Sequence, residues 1–293
     1  MQTDIKSKRI GWIGLGAMGT PMAKNLIAEG MNLIVYNRTK TQEAPLKQLG
    51  AKTAESPAEV LHKSDILFIM VSDDSAVAEI FSQSNGLLNT DSSGKTIINM
   101  STISPSTSID LASKCNDKAL RYIDAPVAGS IKQASEATLV IMAGCDESTF
   151  AEVKPLLEIL GKATFRMGNT GNGNKTKLAV NLFLAYLTQG LAEASLFAEQ
   201  LGIPSHDFLE VIGAGGLNSP YTNAKGNMIR KNEYPSAFAL HLMAKDLRLA
   251  IENGLSTESG KVVFNTFQDA KEKYGDQDVM AIAAYLKENK SKK

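Results

Sequence analysis

The sequence predicts an α/β domain, a parallel sheet with helices on both faces, joined by one long helix to an all-α domain. Three observations predict it. Short, near-continuous apolar runs alternate with amphipathic stretches through the first 166 residues. Parallel strands covered by helices on both faces read as unbroken apolar runs of this kind. A Gly- and Asn-rich break, GNTGNGNK, then interrupts the pattern near Gly168. Beyond it every segment carries helical periodicity and none reads as a strand. These observations put one domain at 1–166 and another at 167–293, with the long helix at about 172–201.

The elements follow in order. Arg9–Leu15 (RIGWIGL) reads as a strand and Pro21–Glu29 as a helix ended by Gly30. Asn32–Asn37 is the next strand, and Ser56–Lys63 is a short helix with Pro57 at its first position. Asp65–Val71, Thr96–Met100, Arg121–Val127 and Thr138–Ala143 are further strands. The helix Glu147–Leu160 and the strand Ala163–Met167 complete the first domain. Lys175–Leu201 then runs without Pro. Its Leu178, Leu182, Tyr186, Leu191, Ala194 and Phe197 recur at three- to five-residue intervals, the pattern of a long, largely buried helix. Helices at Ser205–Ile212, Tyr221–Arg230, Phe238–Asn253, Lys261–Tyr274 and Val279–Lys287 follow.

Composition removes several classes. Lys+Arg and Asp+Glu both number 31, so no global basic field draws nucleic acid or anionic lipid. Hydrophobic residues at 43% against 21% charged exclude a disordered chain. Apolar runs such as Ile66–Val71 and Leu182–Leu187 are six residues, where a membrane span needs about 20. The opening MQTDIKSKRI lacks the apolar region of a signal peptide. Cys115 and Cys145 are too few for a disulfide framework, and His62, His206 and His241 have no ligand spacing, so no metal site is expected. The expectation is a cytoplasmic protein without nucleic-acid or membrane partners.

The strongest local signal is Gly14-Leu15-Gly16-Ala17-Met18-Gly19. It follows a strand, opens a helix and leads to a second strand ending at Asn37, which is the context a dinucleotide fingerprint requires. Gly14 serves the tight turn, Gly16 the approach of a pyrophosphate and Gly19 the packing of helix on strand. The first domain is therefore expected to be of Rossmann type. At the second strand's end an acidic residue would bind the ribose 2′-OH of NAD; here Asn37-Arg38-Thr39 stands instead. Arg38 suits a 2′-phosphate through charge-assisted bonds, with Asn37 and Thr39 as supporting donors. NADP(H) is the preferred cofactor and NAD(H) the alternative.

Lys177 and Asn181 are four apart at the start of the long helix, hence on one face, with apolar Leu178, Leu182 and Phe183 beside them. Such a pair is able to bind a carbonyl oxygen, Lys177 giving the proton and Asn181 orienting the substrate. Position in the first turns disfavours the ammonium and makes it a better acid. Pattern alone favours reading Lys177 as a solvated surface residue, because most lysines are solvated.

Five segments in order, GLGAMGTPMAKNL, NMSTISP, DAPVAGS, GNGNKTKLAVN and AKDLRLA, resemble the β-hydroxyacid dehydrogenase family from residue 10 to about 255. That family includes 3-hydroxyisobutyrate dehydrogenase, tartronate semialdehyde reductase and the glyoxylate/succinic semialdehyde reductases. NRT, APVAGS, GNGNKTKLAVN and YPSAF…KDLRLA look most like the last branch. The resemblance implies that Lys177 is the catalytic acid/base, with Asn181 beside it. It implies that Thr102 holds substrate and nicotinamide, and that the loop from Asp124 to Ser130 (Val127, Ala128, Gly129, Ser130) binds substrate. Lys245 and Asp246 match a pair of the helical domain that closes over the nicotinamide end. Phe238 matches an aromatic near the substrate. Val71, Ser72 and Asp73 fall where the family touches the cofactor, mainly through backbone, with Asp73 or Asp74 read as a solvated loop acid.

Two departures stand out. Ala128 replaces the family's usual Ser, and Asn99 replaces an Asp often seen before MST. Backbone N–H groups and the Ser130 hydroxyl then remain to hold a substrate carboxylate. The implied activity is NADPH-dependent reduction of small carboxylated aldehydes such as glyoxylate and succinic semialdehyde. Oxidation of 3-hydroxyisobutyrate or a related β-hydroxyacid is the alternative. A non-catalytic dinucleotide sensor or scaffold is the alternative of another class, disfavoured by the retained Lys–Asn pair. The apolar helical half and long helix suggest a homodimer or homotetramer.

Overall fold

A computed structural model of the chain describes residues 5–290. It divides into two compact units, one ending at Lys177 and one beginning at Leu178. Six parallel strands form the sheet of the first unit: β1 (Arg9–Ile13), β2 (Asn32–Tyr36), β3 (Lys52–Thr53), β4 (Ile66–Ile69), β5 (Thr96–Asn99) and β6 (Arg121–Asp124). Their spatial order is β3-β2-β1-β4-β5-β6. This is the Rossmann order, which reverses between β1 and β4, so a crevice opens at the strands' carboxyl ends there. The short edge strand β3 is not expected from the sequence; two residues are too few to show a period.

Alternation along the strands sorts side chains to two cores. Ile10, Trp12, Leu33, Val35, Phe68, Ile98 and Ile123 face one side. Ile13, Ile34, Leu67, Ile69, Ile97 and Tyr122 face the other. Trp12 stacks on Phe68 with ring centroids 5.4 Å apart. Each fully buried large apolar side chain contributes about 1.5–3 kcal/mol, which is why both faces must be covered. The helix α1 (Gly19–Ala28) lays Met22, Ala23 and Leu26 on the first face. After the short α2 (Ala44–Gln48), the helices α3 (Pro57–Lys63), α4 (Asp74–Ser82) and α5 (Pro105–Asn116) cover the second. The Ser56 hydroxyl caps α3 and the Asp73 carboxylate caps α4.

The expected single strand Arg121–Val127 is broken. β6 stops at Asp124, and β7 (Val127–Ala128) belongs to a separate sheet. Pro126 between them has no N–H to give a ladder. In the second sheet β7 runs antiparallel to β8 (Leu139–Ala143), which runs parallel to β9 (Gly161–Arg166). The first unit is thus not wholly parallel. The helices α6 (Ile131–Ser135) and α7 (Glu147–Leu157) flank these strands in the chain.

Helix α8 (Asn172–Gln200) starts in the first unit and continues into the second. The second unit adds α9 (Ser205–Ala214), α10 (Pro220–Lys231), α11 (Leu240–Glu252), α12 (Glu258–Tyr274) and α13 (Ile282–Lys290). Leu240, Met243, Leu247, Phe267, Met280 and Ile282 form its core with Ala185, Leu191 and Ala192 of α8. The long helix is less buried than its pattern predicts. Phe183, Phe197 and Leu201 are each more than half exposed. Among the described residues no helix is long and apolar enough to cross a membrane.

Candidate active site

The glycine loop leaves β1 at Ile13. Gly14 has φ +96°, and a Cβ on it would lie 2.1 Å from the Met70 carbonyl oxygen. A Cβ on Gly19 would lie 2.0 Å from the Gly14 oxygen. These two glycines are demanded by the fold itself. Gly16 differs: a Cβ there meets nothing within 4 Å. Gly16 and Ala17 instead border an open cleft of about 800 Å³, lined also by Leu15, Thr20, Asn37 and Gln42. Met18, at the N-cap of α1, makes no side-chain cap bond. An accessible glycine backbone at an uncapped helix N-terminus fits the phosphates of a dinucleotide.

Asn37 ties this loop to the end of β2. Its Oδ1 accepts from Leu15 N at 2.9 Å, and its Nδ2 donates to the Thr39 oxygen at 2.9 Å. Buried Glu43, missed in the sequence, accepts from Asn37 N at 2.9 Å. Lys40 Nζ bonds Glu43 and the Ala54 oxygen and lies 4.7 Å from the Tyr36 ring. Thr39 is exposed. Arg38 is 81% exposed at its side chain and pairs through Nη1 with Glu79 Oε2 of α4 at 3.3 Å. It does not line the cleft.

The ends of β4, β5 and β6 are stitched to one another. Val71 N donates to Ser101 Oγ at 2.9 Å. Ser72 Oγ donates to Asp73 Oδ2 at 2.7 Å, while Asp73 Oδ1 accepts from Ala76 N. Asp74 Oδ1 accepts from Ser104 N and Thr107 Oγ1. Neither aspartate is therefore the solvated loop acid expected; both hold helix starts. Asn99 is buried, donates to the Tyr122 hydroxyl and accepts from Ser101 N. The amide shapes the loop carrying half-buried Thr102.

Asp124 was expected to belong to a substrate loop. Its carboxylate is instead spent on the N-terminus of α8, accepting from Gly171 N at 2.7 Å and Asn174 N at 2.8 Å. Gly173 is forced by this close approach, since a Cβ would lie 2.4 Å from the Met142 oxygen. Asn174 extends the clamp: Oδ1 accepts from Ile103 N at 3.0 Å, and Nδ2 donates to Ser108 Oγ at 3.1 Å. Strand β6, the Thr102 loop and the helix that carries Lys177 are thereby one bonded assembly. Lys177 is buried, 7% exposed.

Burial raises the Asp124 carboxyl to about 6, against the lowering effect of the Asn174 and Gly171 N–H donors. The folded value lies above the unfolded one, so its neutral form favours the fold. Stability from this group is full at low pH and falls as pH rises from about 4 to about 6. We expect urea unfolding to show wild type losing on the order of 2–3 kcal/mol relative to Asp124→Asn across that window. A constant difference between the two proteins would exclude the titration.

The loop after β6 continues through buried Val127, half-buried Ala128 and exposed Gly129. Gly129 has φ +141°. Ser130 caps α6 in a capping box. Its N–H (2.8 Å) and its hydroxyl (2.5 Å) both donate to Gln133 Oε1. A substrate carboxylate held by Ser130 therefore has to replace Gln133.

In the second unit, Asn181 is 1% exposed and lies one helical turn beyond Lys177 on α8. Its Nδ2 donates to Asp246 Oδ2 at 2.5 Å. Lys245 Nζ reaches Asp246 Oδ1 at 2.9 Å. Asp246, 3% exposed, thus orients Asn181. Half-buried Phe238 is anchored separately. Its N–H and that of Ala237 donate to Asp278 Oδ2 at 3.2 and 3.1 Å. Asp278 is fully buried, and its Oδ1 meets Lys225 Nζ at 2.5 Å. This pair was not foreseen; the one signal that could have marked Asp278 is its place before the apolar run VMAI, where it caps Met280 N.

Known proteins match both units of the chain. A family model described as the NAD binding domain of 6-phosphogluconate dehydrogenase matches residues 9–168. One described as NAD-binding of NADP-dependent 3-hydroxyisobutyrate dehydrogenase matches residues 171–286. The chain is 34% identical to glyoxylate/succinic semialdehyde reductase 2, chloroplastic, of Arabidopsis thaliana, over 99% of this chain and 82% of that protein. It is 38% identical to 2-hydroxy-3-oxopropionate reductase of Escherichia coli (strain K12), over 84% of each. Among solved structures, 3-hydroxyisobutyrate dehydrogenase of Mycobacterium tuberculosis with L-serine superposes with TM-score 0.86 at 25% identity, covering 95% of this chain and 99% of that one.

Proposed function

Since the chain belongs to the 3-hydroxyisobutyrate dehydrogenase-like family of NAD(P)-dependent β-hydroxyacid dehydrogenases and semialdehyde reductases, we propose that it reduces small carboxylated aldehydes, glyoxylate and succinic semialdehyde foremost, with NADPH. The observation that carries this reading is a buried lysine, Lys177, on a helix whose start is clamped by Asp124 and Asn174 and whose next turn bears buried Asn181. A lysine kept out of water and held in place is suited to proton transfer rather than to surface solvation.

The loop Gly14–Gly19, with Asn37, Arg38 and Thr39, would hold the dinucleotide, and Val71, Ser72, Asp73, Thr102 and Lys245 would complete its binding. When bound, the nicotinamide supplies the hydride. Thr102, Ser130 and the backbone of Val127–Gly129 hold the substrate carboxylate. Asn181 orients the aldehyde oxygen. Lys177 protonates that oxygen as it gains charge, and the resulting amine regains its proton from solvent. In the second unit Asp246 positions Asn181, and Phe238 offers an apolar surface for the substrate. We place this reaction in the cytoplasm and in a homodimer or homotetramer, for which the exposed Phe183 and Phe197 of α8, with Leu201 just past its end, supply apolar surface.

Initial rates with glyoxylate, succinic semialdehyde, methylmalonate semialdehyde and tartronate semialdehyde, each with NADPH and NADH, test the proposal. We expect kcat/KM to be highest for the first two with NADPH. A preference for methylmalonate semialdehyde with NADH would transfer the assignment to 3-hydroxyisobutyrate oxidation. Absence of turnover with all four would favour a dinucleotide-binding scaffold.

A further inference from the structure

Two cations follow the end of β2, and they are deployed differently. Lys40 is committed to Glu43, the Ala54 oxygen and the Tyr36 ring. Arg38 projects into solvent and engages a carboxylate that is not on its own element, Glu79 of α4, 41 residues away. The contact uses Nη1 alone, at 3.3 Å. A guanidinium carries five N–H donors in a planar fork, so a second oxyanion can approach while the first remains nearby.

We propose that Glu79 is a specificity-determining residue that moderates the preference for NADP over NAD. The proposal rests on the reading of Arg38 as the partner of the 2′-phosphate. A 2′-phosphate has to share Arg38 with the Glu79 carboxylate or displace it, and carboxylate and phosphate repel. A ribose 2′-OH meets no such repulsion. Binding of the phosphorylated cofactor is therefore weakened by Glu79 while binding of NAD is not. Both side chains are more than half exposed, at 81% and 52%. Water screens exposed pairs to at most about 1 kcal/mol, which limits the expected change to roughly two- to fivefold.

Titration calorimetry on the full chain separates the possibilities, with NADP+, NAD+ and adenosine 2′,5′-bisphosphate as probes. Wild type, Glu79→Gln, Arg38→Ala and the double variant are compared. Glu79→Gln is expected to tighten NADP+ and the bisphosphate about two- to fivefold and to leave NAD+ unchanged. The gain is expected to vanish in the Arg38→Ala background. If Glu79→Gln leaves NADP+ affinity unchanged, or tightens NAD+ equally, while Arg38→Ala abolishes discrimination, the role of Glu79 is overturned and that of Arg38 stands. If Arg38→Ala leaves the NADP+/NAD+ ratio unchanged, the Arg38 reading falls and takes this inference with it.

Discussion

Lys177→Ala is expected to lower kcat for aldehyde reduction by about 10²–10⁴, the range of a lost general acid. The Kd for NADPH should stay within a few-fold of wild type, because Lys177 is not among the cofactor's proposed contacts. Stopped-flow absorbance of NADPH under single-turnover conditions separates the two quantities. The fold should survive the substitution. Asp124 and Asn174 clamp the start of α8. A loss of NADPH binding matching the loss of rate would make Lys177 a structural residue instead.

The second large effect lies at Asp278. Asp278→Ala removes the partner of the Lys225 ammonium, which is 7% exposed at its side chain, and three backbone acceptor bonds, to Ala237, Phe238 and Met280. An uncompensated buried charge costs about 3–5 kcal/mol. That is a large share of the roughly 5–15 kcal/mol by which domains are stable. Lys225→Met should cost less, since the carboxylate keeps its three N–H donors. Urea unfolding of the full chain checks the order. A loss below 1 kcal/mol in Asp278→Ala would mean that water reaches the pair. Where Asp278→Ala still folds, KM for the aldehyde should rise more than kcat falls, because the Phe238 segment loses its anchor.

The fold was legible where physics is local. Strands β1, β4 and β5 are buried on both faces, so apolar residues stand next to one another in them, as in Trp12–Ile13, Ile66–Ile69 and Ile97–Ile98. Gly14 was legible because a tight turn at positive φ admits little else. Helices α4 and α5 were less so. The segment PSTSIDLASKCN is mostly polar and buries only a narrow stripe through Ser108, Leu111 and Cys115. The break between β6 and β7 hid inside an apolar stretch, with Pro126 as its one mark.

The candidate site divides in the same way. Lys177 and Asn181 were found because one helix supplies both at a fixed spacing. The bonds that hold them were not. Asp124 reaches Asn174 across 50 residues, Asn174 reaches Ser108 across 66, and Asp246 reaches Asn181 across 65. No spacing rule reports partners brought together only by the fold. Asp124 was in view as part of DAPVAGS but was read for substrate, and the structure turns its carboxylate to the helix. Glu79 carried no motif, and Asp278 showed only as a cap before VMAI, with nothing in the sequence to name Lys225 as its partner.

The proton-donor role of Lys177 is tested most directly by chemical rescue. Lys177→Ala, saturated with NADPH and succinic semialdehyde, is titrated with small primary alkylammonium ions, and the initial rate of NADPH oxidation is followed. The assignment predicts a rate that rises with ammonium concentration and is greater for the more acidic ammonium among those of equal size. A rate indifferent to every amine, in a variant that still binds cofactor and aldehyde, would contradict it.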